Sequence, residues 1–471
     1  MRGNEVDAEQ IRELVDIPNG VASRSIFVDE ELYRRELKEI FGRGWLMVGH
    51  ESQVPEPDDF MLSRMGEESV ILTRDRQGEL HVLLNSCRHR GMKVCRFDKG
   101  NTRLFTCPYH AWSYTTDGAL VDRAGGLFGV PGWKTHYHEA LDKKEWGLIS
   151  VAQMRNYKGT IWATWDIDAP PLEEYLGSFR YWLDSALNSR SGEEGGSTVL
   201  VGVQKWRVKC NWKFAPTNFI GDAAHAVSHK SVNLANISPS GSGRRDERAK
   251  GHYAFGWPEL GHGGLGFTPR PEEEWEQGSV FGRFPEVSEY FREVFEKRKV
   301  ERAGETHYQG KGTIFPNTSF HEDQPRTIIV HHPNGPEETE FWRYYLVDAD
   351  APEFVKDTLR HYFMTYSGPG GMTEQDDLEN WLYASDASKG MIARQFPYNY
   401  QQGLGYSEPF DGYPGSVWCG YRETEQNQLI FLKRWSEFMQ GWNWDELMHR
   451  TPRPDYVPFP LKSTEATEEA R

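Results

Sequence analysis

The sequence predicts an α+β protein in which a small all-β module is set within a larger mixed region. Between residues 44 and 150, short apolar runs such as Val70–Leu72 and His81–Leu84 alternate with turn residues. That texture is typical of an all-β module. Elsewhere helices and strands follow one another without regular alternation, which favours α+β over a doubly wound parallel sheet.

Hydrophobic periodicity and turn residues predict the elements in chain order. In Glu30–Phe41, for example, Leu32, Leu37 and Ile40 recur at near-helical spacing. The predicted helices are Ala8–Val15, Glu30–Phe41, Leu172–Leu187, Asn218–His229, Pro352–Tyr366, Thr373–Ser385 and Glu423–Met439. The predicted strands outside the module are Gly159–Asp166, Thr198–Val208, Gly312–Phe315, Thr327–His331 and Glu340–Val347. Predicted loops are Ser189–Ser197 and Ile237–Gly251, and Ser463–Arg471 is a polar tail.

Composition excludes several classes of protein. The 471 residues include 54 Lys and Arg against 70 Asp and Glu, a formal charge of −16, which disfavours nucleic-acid binding. No run approaches the ~18 apolar residues that span a bilayer, and the charged N-terminus leads into no signal-peptide core. Five scattered cysteines are not a disulfide framework. We therefore expect a cytoplasmic protein without nucleic-acid or membrane partners.

Two short segments each offer one cysteine and one histidine. Cys87 and His89 form a Cys-x-His pair, and after seventeen residues Cys107 and His110 form a Cys-x-x-His pair. A zinc finger instead keeps its cysteines together and its histidines together. Thiolates on one iron and imidazoles on the other are the ligation of a Rieske [2Fe–2S] cluster. The pattern favours that cluster over structural zinc.

A second set of candidate ligands follows further along the chain. Asp222, His225 and His229 are spaced by three and four residues, which predicts one helix face and two imidazoles able to share a divalent metal. This spacing is weak by itself. A non-haem ferrous site also needs a carboxylate, and the predicted helix from Thr373 offers several that spacing cannot separate. Its Asp377 lies one turn from the large aromatic Trp381.

Taken together, these motifs resemble the large (α) subunits of Rieske non-haem iron aromatic-ring-hydroxylating dioxygenases of the naphthalene, biphenyl and toluene dioxygenase type. The resemblance covers roughly Val28 to Trp444. It is carried by the segments Cys87–Gly91, Cys107–His110, Asn211–Lys213, Asn218–His229 and Glu374–Trp381.

This resemblance implies a fold and a division into domains. An all-β Rieske [2Fe–2S] domain would be inserted in a catalytic domain whose antiparallel sheet is covered by helices, in a helix-grip or START-like arrangement. Residues 1–40 would be the N-terminal part of the catalytic domain, 41–158 the Rieske domain and 159–471 the catalytic domain with the mononuclear iron.

The resemblance also implies roles for individual residues. One [2Fe–2S] cluster per chain would be held by Cys87, His89, Cys107 and His110. One mononuclear Fe(II) would be held by His225, His229 and Asp377. Asp222 would be a catalytic bridging acid that hydrogen-bonds His225 and a Rieske histidine of a neighbouring subunit, and Asn218 would lie near the iron. Phe219, Ala226, Thr373 and Trp381 would line the substrate pocket.

Two features depart from the family pattern. The family usually has glycine where this chain has Ala111, which puts the geometry of that loop in doubt. The spacing from His225 to His229 is one residue shorter than in the best-known dioxygenases, although the shorter form also occurs. Neither departure removes a candidate ligand.

The implied function is that of a terminal oxygenase in aromatic hydrocarbon catabolism. It would use O2, and electrons that come ultimately from NADH through a ferredoxin and a reductase, to cis-dihydroxylate an aromatic ring. A trimer is implied, either α3 or α3β3 with a small β subunit, to which the helix Gln428–Met439 also points. The expected substrate is an aromatic or polycyclic hydrocarbon, with an aromatic or terpenoid acid second. Arg244, Arg245 and Arg343 could meet a carboxylate, although surface positions are favoured for them.

Two alternatives stay open on the sequence. The first is a Rieske monooxygenase or demethylase that acts on an aromatic or terpenoid acid at the same iron. The second, from a different class, is a zinc-stabilised binding protein without redox chemistry. The chain has no Gly-rich dinucleotide fingerprint, so we do not expect it to take NADH itself.

Overall fold

The computed structural model describes residues 7–122, 129–238, 252–272, 282–322 and 325–449. The predicted tail Ser463–Arg471 and all but the first residues of the predicted loop Ile237–Gly251 lie outside these ranges. The helices are α1 (Ala8–Leu14), α2 (Glu30–Glu36), α3 (Leu172–Leu176), α4 (Arg180–Leu187), α5 (Phe214–Phe219), α6 (Lys230–Ala235), α7 (Pro285–Glu301), α8 (Glu353–Ser367), α9 (Met372–Ala387), α10 (Gln426–Met439) and α11 (Trp444–His449). None of the helices in the described ranges is long and apolar enough to cross a lipid bilayer.

The strands form antiparallel sheets. They are β1 (Val15–Asp16), β2 (Val21–Ala22), β3 (Leu46–His50), β4 (Asp59–Met65), β5 (Glu68–Arg74), β6 (Leu80–Leu84), β7 (Lys99–Asn101), β8 (Leu104–Thr106), β9 (Ser113–Thr115), β10 (Gln153–Tyr157), β11 (Thr160–Thr164), β12 (Ser197–Val208), β13 (His252–Trp257), β14 (His262–Phe267), β15 (Arg270–Pro271), β16 (Thr306–His307), β17 (Gly310–Ile314), β18 (Thr318–His321), β19 (Thr327–Pro333), β20 (Thr339–Asp348), β21 (Tyr398–Asn399), β22 (Glu408–Pro409) and β23 (Trp418–Gly420).

The predicted all-β module is confirmed as a four-stranded sheet, in the order β6-β5-β4-β7, and the hairpin β8–β9. The apolar run Val70–Leu72 lies in the central strand β5, and His81–Leu84 lies in the edge strand β6. Ile71, Leu83, Phe105 and Tyr114 are fully or almost fully buried in one apolar core that also contains Cys87. The module therefore has a core of its own, against which the cysteine-bearing loops pack.

The rest of the chain is built on a nine-stranded antiparallel sheet, in the order β12-β20-β19-β18-β17-β14-β13-β23-β22. Helices α5 and α10 contact the middle of this sheet, and α8 contacts its β12 edge. Nearly every residue of α10 is buried. The arrangement confirms the α+β prediction of an antiparallel sheet covered by helices.

Five strands of this sheet were not predicted: β13, β14, β18, β22 and β23. In β13 and β14 glycines interrupt the apolar pattern. The glycines are required because large side chains pack closely against both faces of the sheet here. A β-carbon on Gly310 of the neighbouring strand would overlap the indole of Trp182, and one on Gly263 would come within 3.0 Å of Asn427. Helix α7 was also missed, since among mostly charged residues it buries only Val287, Phe291 and Phe295. The predicted helix Leu172–Leu187 is broken at Gly177, where φ is +52°.

A buried network ties the N-terminal segment to the large sheet region. The Glu36 carboxylate at the end of α2 accepts hydrogen bonds from Trp212 Nε1 at 2.7 Å, Lys213 Nζ at 2.5 Å and Trp435 Nε1 at 2.6 Å. Burial lowers the pKa of Lys213, while Glu36 opposes that shift. This network favours counting residues 1–40 with the catalytic part of the chain, and the domain boundaries themselves stay a prediction.

Candidate metal centres

The first candidate centre lies on two matched turns of the all-β module. After β6, the Gly91 amide donates to the carbonyl of Cys87 at 2.8 Å, and Cys87 N–H donates to Met92 at 2.8 Å. Between β8 and β9, Ala111 N–H donates to Cys107 at 2.9 Å, and Cys107 N–H donates to Trp112 at 2.8 Å. Each turn therefore presents one cysteine and one histidine in the same backbone setting.

The side chains of these turns come together. The rings of His89 and His110 are 4.6 Å apart between centroids, and both Cys87 and Cys107 are buried. Burial raises the pKa of the Cys107 thiol, so a bound cation is needed to keep it as a thiolate. His89 Nδ1 is buried and has no hydrogen-bond partner within the described part of the chain. Two enclosed thiols and two adjacent imidazoles, one with an enclosed nitrogen, fit a [2Fe–2S] cluster.

Tyr114 and Trp112 enclose this centre. The Arg88 amide donates to the Tyr114 hydroxyl oxygen at 3.1 Å, which leaves the phenol hydrogen free for Cys87 Sγ at 3.2 Å. The indole of Trp112 stacks on His89 at a centroid distance of 5.1 Å. These contacts hold one cysteine and one histidine in fixed orientations.

Ala111 adopts the backbone conformation that the family's usual glycine would favour. Its φ is +61°, in the left-handed region, and the corresponding Gly91 in the other turn has φ +74°. The turn thus keeps the geometry of its counterpart, at the cost of some steric strain at the alanine.

The second candidate centre does not lie on one helix, so the prediction of a continuous helix over Asn218–His229 is wrong. Helix α5 ends at Phe219, Gly221 has φ +136°, and a separate 3₁₀ turn covers Ala224–His229. The break has a physical cause. Asn427 of α10 donates its side-chain amide to the carbonyl of Ile220 at 2.9 Å, which removes that carbonyl from the helix.

His225, His229 and Asp377 nevertheless meet at one point. The two Nε2 atoms are 3.1 Å apart, and Asp377 Oδ1 lies 3.5 Å from His225 Nε2 and 3.3 Å from His229 Nε2. A point about 1.9 Å from all three atoms follows from this triangle, close to the ~2.0–2.2 Å at which divalent metals hold such donors. Three donors on one side leave the other side open, which fits a ferrous two-histidine, one-carboxylate site.

The neighbouring acid Asp376 has a different contact. Its Oδ2 lies 3.3 Å from His229 Nδ1, and it accepts a hydrogen bond from Ser231 Oγ at 2.7 Å. Sequence spacing could not decide which acid of this helix is the metal ligand, whereas the distances give Asp376 and Asp377 different roles. Asp377 faces both Nε2 atoms, and Asp376 orients the outer nitrogen of one histidine, as outer carboxylates do in metal sites.

Asp222 lies beside the other histidine. Its Oδ1 accepts the His225 amide at 3.1 Å and lies 3.6 Å from His225 Nδ1, which contacts the Asp222 backbone carbonyl. Burial opposes ionisation of this carboxyl, yet the hydrogen bonds and charge of His225 hold its pKa below the usual value. The side chain is about one third exposed, so a charged carboxylate next to an imidazole is accessible from outside the chain.

The predicted pocket residues differ in burial: Ala226 is exposed, and the others are buried or half-buried. Phe219 contacts Trp381 at 6.1 Å between ring centroids, and Trp381 is buried. Thr373 is buried at the start of α9, where its hydroxyl donates to Tyr366 at 2.6 Å. Ala226 is exposed on the surface of this chain. Asn218 is half-buried in the last turn of α5, next to Phe219.

Sequence reasoning missed a polar pair behind α9. Arg343 is not on the surface but is 2% exposed, and its guanidinium donates to Glu374 at 2.6 Å. Burial raises the pKa of Glu374 to about 7, although Arg343 opposes this and Asp377 adds to it. Arg343 interrupts the otherwise apolar run 341–347, and nothing in the sequence indicated a buried partner for its charge.

Comparison with known proteins agrees with this geometry. Residues 44–125 match the Rieske [2Fe-2S] domain family, and residues 197–410 match the catalytic domain of the ring hydroxylating alpha subunit family. The chain is 37% identical over 453 residues to the biphenyl 2,3-dioxygenase alpha subunit of Rhodococcus jostii strain RHA1, with 93% of each chain covered. It is 38% identical over 456 residues to the biphenyl dioxygenase alpha subunit of Metapseudomonas furukawaii, covering 93% of this chain and 95% of that one.

A solved structure extends the similarity to three dimensions. Naphthalene 1,2-dioxygenase from Rhodococcus sp., crystallised with indole, superposes with a TM-score of 0.75 at 31% identity, covering 94% of this chain and 99% of that one.

Proposed function

The chain belongs to the family of Rieske non-haem iron ring-hydroxylating dioxygenase large subunits, and from this premise we propose how its own residues perform the reaction. Family membership gives it a [2Fe–2S] cluster and a mononuclear iron, and it is the terminal oxygenase of aromatic cis-dihydroxylation. The reaction joins an arene, O2, two electrons and two protons into a cis-dihydrodiol. Family membership therefore argues against the alternative function of a zinc-stabilised binding protein.

We assign the cluster to Cys87, His89, Cys107 and His110, and the iron to His225, His229 and Asp377. When bound, the cluster supplies single electrons and the iron, with its open positions, activates dioxygen. The observation that supports the iron assignment is that the two histidine Nε2 atoms and Asp377 Oδ1 lie within 3.5 Å of one another.

The surrounding residues keep these ligands in the form that binds metal. Asp376 accepts from His229 Nδ1, which leaves the Nε2 lone pair of that ring for the metal. Asp222 is charged and half-buried beside His225, so it can hold a further N–H donor from outside the chain. We propose that this donor is a Rieske histidine of a neighbouring subunit and that the working unit is a trimer. Asn218 is assigned to the edge of the substrate pocket.

The electron donors and any further subunit are also proposals. A ferredoxin and a reductase would supply the electrons that come ultimately from NADH. A small β subunit would complete an α3β3 assembly, with an α3 homotrimer as the other form. Because α10 is buried within the chain, it cannot itself offer the contact surface for β. A cytoplasmic location stays a prediction.

The substrate is proposed to be an aromatic or polycyclic hydrocarbon. Phe219 and Trp381 supply aromatic surface next to the iron ligands, which suits a flat apolar ring. An aromatic acid is the weaker candidate, because Arg343 is already paired with Glu374. The relatives act on biphenyl, as their names state.

Labelled dioxygen tests the proposed function. The purified holoenzyme, with a ferredoxin and reductase, is supplied with 18O2 and a neutral arene such as biphenyl. Both labelled atoms are expected in one cis-dihydrodiol, with one O2 consumed per product. A single labelled oxygen in the product, and the other in water, would instead identify a monooxygenase or demethylase.

A further inference from the structure

Four aromatic side chains form a closed box between the large sheet and the iron ligands. Its consecutive ring contacts have centroid distances of 5.7 Å for Phe219–His331, 5.1 Å for His331–Phe341, 5.5 Å for Phe341–Trp381 and 6.1 Å for Phe219–Trp381. Phe219 follows Asn218 on α5, and Trp381 is one turn beyond Asp377 on α9. The box therefore joins α5, which precedes the turn with His225 and His229, to α9, which carries Asp377.

His331 is the ring of this box whose hydrogen bonding stands out. It is fully buried in β19. Its Nε2 lies 3.1 Å from Ser319 Oγ, while its Nδ1 is buried without a hydrogen-bond partner among the described residues. Leaving a buried polar atom without a partner is destabilising, so this nitrogen points to a group that is supplied from outside the chain.

A chain of hydroxyl groups fixes which nitrogen of His331 carries the proton. Thr313 Oγ1 lies 2.9 Å from the carbonyl oxygen of Pro216, which can only accept, so Thr313 donates there. Ser319 Oγ, 2.9 Å from Thr313 Oγ1, must then donate to Thr313. With its hydrogen used, Ser319 can only accept from His331 Nε2–H.

It follows that His331 Nδ1 is a bare lone pair. Burial, together with the charge of Arg343, lowers the pKa of His331 well below its usual value, so the ring stays neutral and this tautomer persists. Nδ1 can accept a hydrogen bond, and it can donate none. A carboxylate, which also only accepts, would be repelled.

From this geometry we propose that His331 determines substrate specificity, by accepting a hydrogen bond at Nδ1 from the N–H or O–H group of an aromatic substrate. Indoles, phenols and anilines are the chemical class that fits. The inference rests on the proposed dioxygenase function, but it favours donor-bearing arenes over the plain hydrocarbons proposed above and also disfavours aromatic acids. It also gives a role to the hydrogen-bonded chain Thr313–Ser319–His331, here called the relay, which ends at the aromatic box.

Binding of two matched arenes tests the proposal without turnover. Indole and 1-benzothiophene have nearly the same shape, but only indole has an N–H donor. Calorimetry on the oxidised holoenzyme, without reductant, gives the ratio of their dissociation constants. Replacing His331 by Phe is expected to reduce the preference for indole by roughly 3- to 10-fold, the worth of one neutral hydrogen bond. An unchanged ratio in His331→Phe would overturn the proposal.

Thr313→Val is the sharper variant, because it leaves His331 in place. Without Thr313 as acceptor, Ser319 can donate to Nε2, and the proton of His331 then moves to Nδ1. Nδ1 would then donate a hydrogen bond. Quinoline, whose ring nitrogen accepts one, should therefore bind more tightly relative to naphthalene than it does to the native protein. Thr318→Val, on the neighbouring strand β18 but outside the relay, is the matched control and should leave both ratios unchanged. A ratio that moves equally in both variants would contradict the relay.

The role of His331 and the proposed function are overturned by different results. If the native enzyme binds and oxidises neutral arenes but His331→Phe and Thr313→Val leave the ratios unchanged, only the role of His331 is lost. If no arene binds to the native holoenzyme and none supports oxygen uptake, the proposed function itself is overturned, and the inference with it.

Discussion

The two metal centres of this chain are built in opposite ways. The proposed cluster ligands lie on two neighbouring turns of one small module, and each turn is closed by its own backbone hydrogen bonds. The proposed iron ligands lie on segments that only the fold brings together, since His229 and its partner Asp376 are 147 positions apart. One centre is local in sequence, and the other depends on long-range packing.

Each centre is therefore vulnerable to changes in a different part of the fold. The cluster loops pack against the core of the all-β module, whereas the iron ligands depend on the broken segment after α5, on α9 and on the sheet beneath them. Damage to one centre should therefore leave the other in place. The following variants test that independence.

Cys107→Ser should remove the cluster and leave the mononuclear iron. Serine is a poor ligand for a cluster that needs thiolates, so the visible absorption of the [2Fe–2S] centre should be lost. Oxygen uptake with arene should fall to background, because no electrons reach the iron. Metal analysis should still find about one third of the original iron, and its loss as well would show that the centres are not independent.

Asp377→Ala is the reciprocal change. It removes the carboxylate that faces both Nε2 atoms, so about one third of the bound iron and all turnover should be lost. Absorption and reduction potential of the cluster should match those of the native protein. Persistent turnover would show that Asp377 is not an iron ligand.

Asp376→Asn should have a smaller effect on the same centre. The amide is a weaker acceptor for His229 Nδ1–H, and loss of such an outer carboxylate lowers metal affinity roughly 10- to 100-fold. Competition with a chelator measures the change. Glu379→Gln alters an exposed acid of the same helix and serves as control. Equal effects of the two variants would remove the special role of Asp376.

The smallest expected effects compare the two cluster turns with each other. Gly91 and Ala111 share the left-handed conformation, and a β-carbon on Gly91 would meet nothing closer than 3.9 Å. Gly91→Ala should therefore destabilise the protein by ~1 kcal/mol through backbone strain alone. Ala111→Gly should stabilise it by at most ~1 kcal/mol, since the relief of strain is partly offset in the unfolded chain. Thermal unfolding of the holoenzyme measures both, and shifts of the same sign would contradict the comparison.

Sequence predicted the local centre more completely than the distant one. Matched Cys/His pairs on a predicted β module indicated the cluster, because the ligands and the turns that carry them lie within a few residues of each other. Spacing could not decide which acid of α9 binds the iron, and the choice of Asp377 came from the resemblance to the family. The distances to the histidine nitrogens distinguish the role of Asp377 from that of Asp376, and these distances are known only once the chain is folded.

The features that escaped prediction share one physical cause, which is long-range packing. The break at Gly221 depends on Asn427 from α10, more than 200 positions away. The glycine-rich strands β13 and β14 make sense only with Trp182 and α10 against their faces. The relay from Thr313 to His331 joins three strands and has no sequence motif.

Anomalous X-ray diffraction at the iron edge, from crystals of the holoenzyme, would locate the iron atoms of both proposed centres. Iron is expected at two places in each chain, one between Cys87, His89, Cys107 and His110, and the other among His225, His229 and Asp377. Iron at only one of these places, at neither of them, or zinc in either would contradict a dioxygenase built on two separate iron centres.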